Sequence, residues 1–101
     1  MKYQSKFENK EVDRLFEGIL SLQSIEECYR FFEDICTVNE IHDIAQRLQV
    51  AELLMQKKTY NEIESATKAS TATISRINKC LVYGADGYKL VLNRINEEEE
   101  K

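Results

Sequence analysis

Apolar residues recur at three- and four-residue steps along most of this chain, the spacing that gives a helix one apolar stripe. From about Asn9 to Leu22 the stripe is Val12, Leu15, Phe16, Ile19 and Leu20. Three later helices are announced by capping boxes, Ser24-x-x-Glu27, Thr37-x-x-Glu40 and Thr59-x-x-Glu62. In each, hydroxyl and carboxylate satisfy N–H groups that have no partner inside the helix. The first box opens a helix with Ile25, Cys28, Tyr29, Phe32 and Ile35 inward. The second opens a longer helix, to about Gln56, with Val38, Ile41, Ile44, Leu48, Ala51 and Leu54 or Met55 inward. Residues 1–8 show no period, and Tyr3 and Phe7 there suit packing on a partner chain.

The third box begins a different kind of unit. Thr59–Leu81 reads as two short helices joined by a tight turn, with Ile63 and Ala66 inward on the first and Ile74, Ile77 and Leu81 on the second. Ser70 is a natural N-cap for the second helix. Its outer face then carries small residues, Thr71, Ala72 and Ser75, followed by the cations Arg76 and Lys79. A small N-terminal end can enter a major groove about 12 Å wide, and an arginine one turn on can reach guanine or phosphate. This is the pattern of a helix-turn-helix that binds double-stranded DNA. Expected contacts are Thr71, Ala72, Ser75 and Arg76 at the bases and Lys57, Lys58, Lys68 and Lys79 on the backbone, with Ser70 and Thr73 as further DNA-binding residues whose hydroxyls can bond phosphates or base edges. An ordinary antiparallel helix pair would show the same periodicity. Two positions depart from the usual motif: Lys68 stands where the turn favours a left-handed glycine, and Glu64 where alanine is common. Gly84 is expected to end the second helix in a left-handed conformation, and Asp86 to cap a last helix bearing Tyr88, Val91, Leu92 and Ile95.

Charge changes the picture in favour of DNA. The net charge of −4 argues against phosphate contacts at first sight. Yet residues 1–56 carry a balance of −5, residues 57–94 one of +4 and the tail 95–101 one of −3. The basic third is the one with the helix pair.

Composition fits a single all-α domain of about six helices: 101 residues, 43 % hydrophobic, no proline and three glycines. Within it, about 9–56 would serve dimerisation, 59–81 is the helix-turn-helix and 86–96 the last helix. Cys28, Cys36 and Cys80 have no disulfide or zinc spacing. No signal-peptide run or span of roughly 20 apolar residues occurs, so a soluble cytoplasmic protein without membrane contact is expected. His42, the one histidine, lies between Ile41 and Ile44 and suits burial or an interface better than catalysis. With no phosphate loop and no Ser/His/Asp arrangement, neither an enzyme nor a cofactor is expected. A second reading, a helical interaction module that has lost DNA binding, draws on Glu64, Lys68 and the overall acidity.

The stretches Thr59–Ile63, Ala69–Arg76 (ASTATISR) and Tyr83–Ile95 (YGADGYKLVLNRI), with Thr37–Leu54 upstream, resemble the Trp repressor superfamily and, more narrowly, its YerC/YecD branch. The resemblance implies an intertwined homodimer that presents two recognition helices to successive major grooves of a palindromic operator. It also implies a corepressor site in which two arginines sandwich an indole over a glycine. Arg76 matches one arginine. The other falls on Arg47 with a one-residue gap in the turn near Lys57, and on Gln46 without it. The glycine position is Ile77, whose side chain occupies the space of the ring. Tryptophan is therefore not expected to bind; calorimetric titration should give no heat of binding, and a micromolar affinity would contradict this.

Overall fold

The structure, a computed structural model, describes residues 3–100, apart from the side chain of Glu100; Met1, Lys2 and Lys101, which fall within the expected domain 1–101, lie outside the described residues. Six helices and no strand occur among the described residues: α1 Lys10–Leu20, α2 Ile25–Ile35, α3 Val38–Met55, α4 Tyr60–Thr67, α5 Thr71–Tyr83 and α6 Gly87–Glu100. The chain divides into two compact units, Met1–Val38 and Asn39–Lys101. None of the helices is long and apolar enough to cross a membrane.

In the first unit, Asn9 caps α1 by accepting from the Val12 N–H at 2.8 Å, and Ser24 caps α2 by accepting from the Glu27 N–H at 3.1 Å. The Glu27 carboxylate accepts from the Gln23 N–H, one residue before the cap, so this box is displaced by one position. Neither helix fully buries any residue. Val12, Ile19 and Phe32 are half-buried, whereas Leu15, Phe16, Leu20, Ile25, Tyr29 and Ile35, all expected to face inward, are exposed, Leu20 by 84 % and Ile25 by 77 %. Their periodicity is correct for a helix, but no element of this unit covers the stripe. Nothing in the described part of the chain lies within 4 Å of where a Cβ on Gly18 would stand.

The second unit has the core. Val50, Ala51, Ile63, Ala69, Ile74, Ile77, Leu81 and Leu92 are buried, with Leu48, Leu53, Leu54, Met55 and Tyr88 packed against them. One helix, α3, thus supplies the floor on which α4, α5 and α6 rest. Two inward assignments on α3 are corrected: Val38 and Ile44 are exposed, and the fully buried Val50 lies beside Ala51 instead. On α6, Leu92 is buried while Val91 and Ile95 are exposed. Thr67 replaces Ala66 as the inward residue near the end of α4. Its hydroxyl donates to the Ile63 carbonyl at 2.8 Å and accepts from the Ala69 N–H at 3.1 Å, which is how a polar residue is buried there without an orphaned group.

Left-handed backbone falls at Lys57, Lys68 and Asp86, with φ of 65, 65 and 63°, and at no glycine. Lys57 ends α3 in a Schellman motif: the Lys58 N–H donates to the Leu53 carbonyl and the Lys57 N–H to the Leu54 carbonyl. Lys68 ends α4, its N–H donating to the Glu64 carbonyl at 2.9 Å. Gly84 departs from expectation, since its φ is −84°. Glycine is required there for room: a Cβ would stand 2.4 Å from the Cys80 carbonyl oxygen. Asp86 holds the cap position of α6, its carbonyl accepting from the Leu90 N–H.

Two stability predictions follow from this backbone. Gly84→Ala must displace the last turn of α5 and should lower unfolding stability by about 1–3 kcal/mol in urea titration; Gly87→Ala, with open space around it, is the matched control. Lys68→Gly removes a left-handed non-glycine residue and should stabilise by up to about 1 kcal/mol.

Candidate nucleic-acid interface

The proposed DNA-facing unit is α4, its three-residue turn and α5. A complete capping box opens α4: the Thr59 hydroxyl accepts from the Glu62 N–H at 3.2 Å and the Glu62 carboxylate from the Thr59 N–H at 3.1 Å. At the other end of α4, the Gln46 amide of α3 donates to the Thr67 carbonyl at 3.1 Å. This bond fastens the turn to the floor helix. Ser70 caps α5 by accepting from the Thr73 N–H at 3.2 Å, and its own proton goes to the Thr73 hydroxyl oxygen at 3.1 Å.

With Ile74, Ile77 and Leu81 buried, the opposite face of α5 is set by helical geometry. Ser70, Thr71, Ala72, Arg76 and Lys79 are exposed, as are Lys57, Lys58 and Lys68. Thr73 and Ser75 are half-buried, which places them at the margin of that face. Among the described residues the salt bridges are Arg14–Glu17, Arg30–Glu26 and Lys89–Asp86. None uses Lys57, Lys58, Lys68, Arg76 or Lys79. Five cations of the basic third therefore stand exposed without an acidic partner, the arrangement that phosphate neutralisation needs.

Glu64 is exposed, which answers the question its unusual position raised: it does not sit where the two helices cross. Its carboxylate accepts from the Thr71 hydroxyl at 3.2 Å, linking α4 to the first residue of α5. The sequence pattern carried no signal for this pair, because the two residues are seven positions apart on different helices.

Behind this face lies a cavity of about 180 Å³ lined by Asp43, Gln46, Arg47, Thr73, Arg76 and Ile77. Both residues that compete for the second arginine position thus border it. Gln46 donates one amide N–H to the turn, while Arg47 and Arg76 line the hollow together with Asp43. Ile77 is 2 % exposed and belongs to the core. A larger groove, about 570 Å³, is bordered by Ile44, Leu48, Cys80, Gly84, Tyr88 and Val91. Its apolar walls suit protein rather than phosphate. Among the described residues, no group of His, Cys, Asp and Glu is arranged to hold a metal ion.

Residues 10–96 match the family described as Trp repressor protein. The chain is 56 % identical over 94 residues to "Uncharacterized protein YerC" of Bacillus subtilis (strain 168), covering 93 % of this chain and 90 % of that one. Two solved structures are similar. One is a Staphylococcus aureus protein crystallised as a candidate Trp repressor, with a TM-score of 0.86, 50 % identity and coverage of 90 % of this chain and 91 % of that one. The other is a TrpR-like protein from Eubacterium eligens ATCC 27750, with a TM-score of 0.87, 49 % identity and coverage of 90 % and 94 %. Family, relatives and helix order agree with the resemblance carried by ASTATISR and the YGADGY segment, and the chain belongs to the Trp repressor family of DNA-binding regulators.

Proposed function

We propose that this protein is a sequence-specific transcriptional regulator, a repressor, that binds a palindromic operator as a homodimer in the cytoplasm and does so without tryptophan. The observation that carries the reading is the exposed face of α5, small at Thr71 and Ala72 and cationic at Arg76 and Lys79, with no intramolecular ion pair on those two cations. Thr71, Ala72 and Arg76 read bases, with Ser70, Thr73 and Ser75 at the edge of the contact. Lys57, Lys58, Lys68 and Lys79 neutralise phosphates. In this reading residues 1–101 act as one domain, with about 9–56 for dimerisation, 59–81 as the helix-turn-helix and 86–96 as the last helix; the Gln46 bond that ties the end of α4 to α3 supports it.

Dimerisation is supported by apolar surface. The stripes of α1 and α2 and the groove at Ile44, Leu48 and Tyr88 leave more apolar area open than a monomer of this size ordinarily shows. A second protomer interlocking through its N-terminal helices would cover them. Loss of tryptophan sensing is supported by Ile77, which fills the core where the sensing family member has glycine.

Binding to a duplex selected from a random pool tests the reading. Lys79→Ala should weaken binding to all sequences and flatten the salt slope by about one unit. Arg76→Ala should cost about 1–3 kcal/mol and alter sequence preference as well. Variants that bind like the wild type place the DNA face elsewhere, and a wild type that binds no duplex at low salt is instead an interaction module.

A further inference from the structure

The first turn of α5 has an unusual hydrogen-bond inventory. A hydroxyl normally offers one proton and two lone pairs, so a threonine at a groove reads donors and acceptors alike. Here the Thr71 proton is taken by the Glu64 carboxylate at 3.2 Å. The Ser70 proton is taken by the Thr73 hydroxyl oxygen, and Ala72 offers no polar group. Within the first turn of α5 the exposed hydroxyl of Thr71 is thus left with lone pairs only, beside the Glu64 carboxylate, while half-buried Thr73 keeps its own proton at the margin and Lys68 in the preceding turn is a separate donor.

We infer that Glu64 is a positioning residue for specificity: by holding the Thr71 proton it makes Thr71 an acceptor-only contact, selecting a base with an exocyclic amine. In the major groove those donors are adenine N6 and cytosine N4, whereas guanine O6 and thymine O4 would meet lone pair with lone pair. The same carboxylate repels phosphate, so this tip is turned from backbone positioning toward base reading. The unusual Glu64 thereby acquires a role that the degraded-motif reading denies it. The inference rests on the DNA-binding reading proposed above.

Glu64→Gln and Glu64→Ala separate charge from hydrogen bonding, because the amide oxygen of glutamine still accepts the Thr71 proton. Selection from a random duplex pool, followed by affinity measurements with the wild type and both variants, gives the test. Both variants should bind every duplex more tightly at low salt. The wild type and Glu64→Gln should share an adenine or cytosine preference at one base pair of each half-site, and Glu64→Ala should relax it by about fivefold. Replacing that base by purine or 2-pyrimidinone, which removes only the amine, should cost the wild type about fivefold. Identical base preferences in the wild type and Glu64→Ala, or no loss on removing the amine, overturn the inference while DNA binding stands. A wild type that binds no duplex at low salt overturns both.

Discussion

The angle between α4 and α5 depends on a buried hydroxyl. Thr67 closes the last turn of α4 by donating to Ile63 and then catches the Ala69 N–H across the left-handed Lys68. Without it, the N–H of Ala69 would be buried and unpaired, at a cost of about 1–3 kcal/mol. The Gln46 bond to the Thr67 carbonyl ties the same turn to α3. Ile63 and Ile74 belong with Val50 and Ala51 to one buried core, which joins the pair of helices to α3. Every exposed residue of α5 inherits its position from this arrangement.

Electrostatics divides the chain in a matching way. In the acidic N-terminal part, Arg14 and Arg30 pair with glutamates one turn away on their own helices. Such exposed pairs contribute at most about 1 kcal/mol, but they neutralise each cation in place. Lys57, Lys58, Lys68, Arg76 and Lys79 have no such salt bridge among the described residues. An acidic protein can thus carry a locally basic face, and total charge is a poor guide to what it binds.

Apolar surface is distributed unevenly between the elements. A chain of this length buries a modest fraction of its surface alone, and here the first two helices bury none of their residues fully. The stripe on α1 and α2 and the groove beside Tyr88 are apolar, whereas the exposed face of α5 carries small residues and the cations Arg76 and Lys79.

Much of the fold was legible in the linear pattern, for reasons that are local. Helix starts at Ser24 and Thr59, the stop at Lys68 and the buried trio Ile74, Ile77 and Leu81 follow from capping and a 3.6-residue period, which act within a few residues. The outer face of α5 followed as the complement of that trio. What lay beyond the sequence was decided between elements. Val50 rather than Ile44 faces the core, because α3 is apolar on more than one side and only its neighbours choose among them. Gly84 is needed for space rather than for a left-handed turn, because the Cys80 carbonyl lies where a Cβ would go. Thr71 gives its proton to Glu64, because a turn folds two helices together across seven positions. Periodicity determines which residues share a face; tertiary structure alone determines what that face meets.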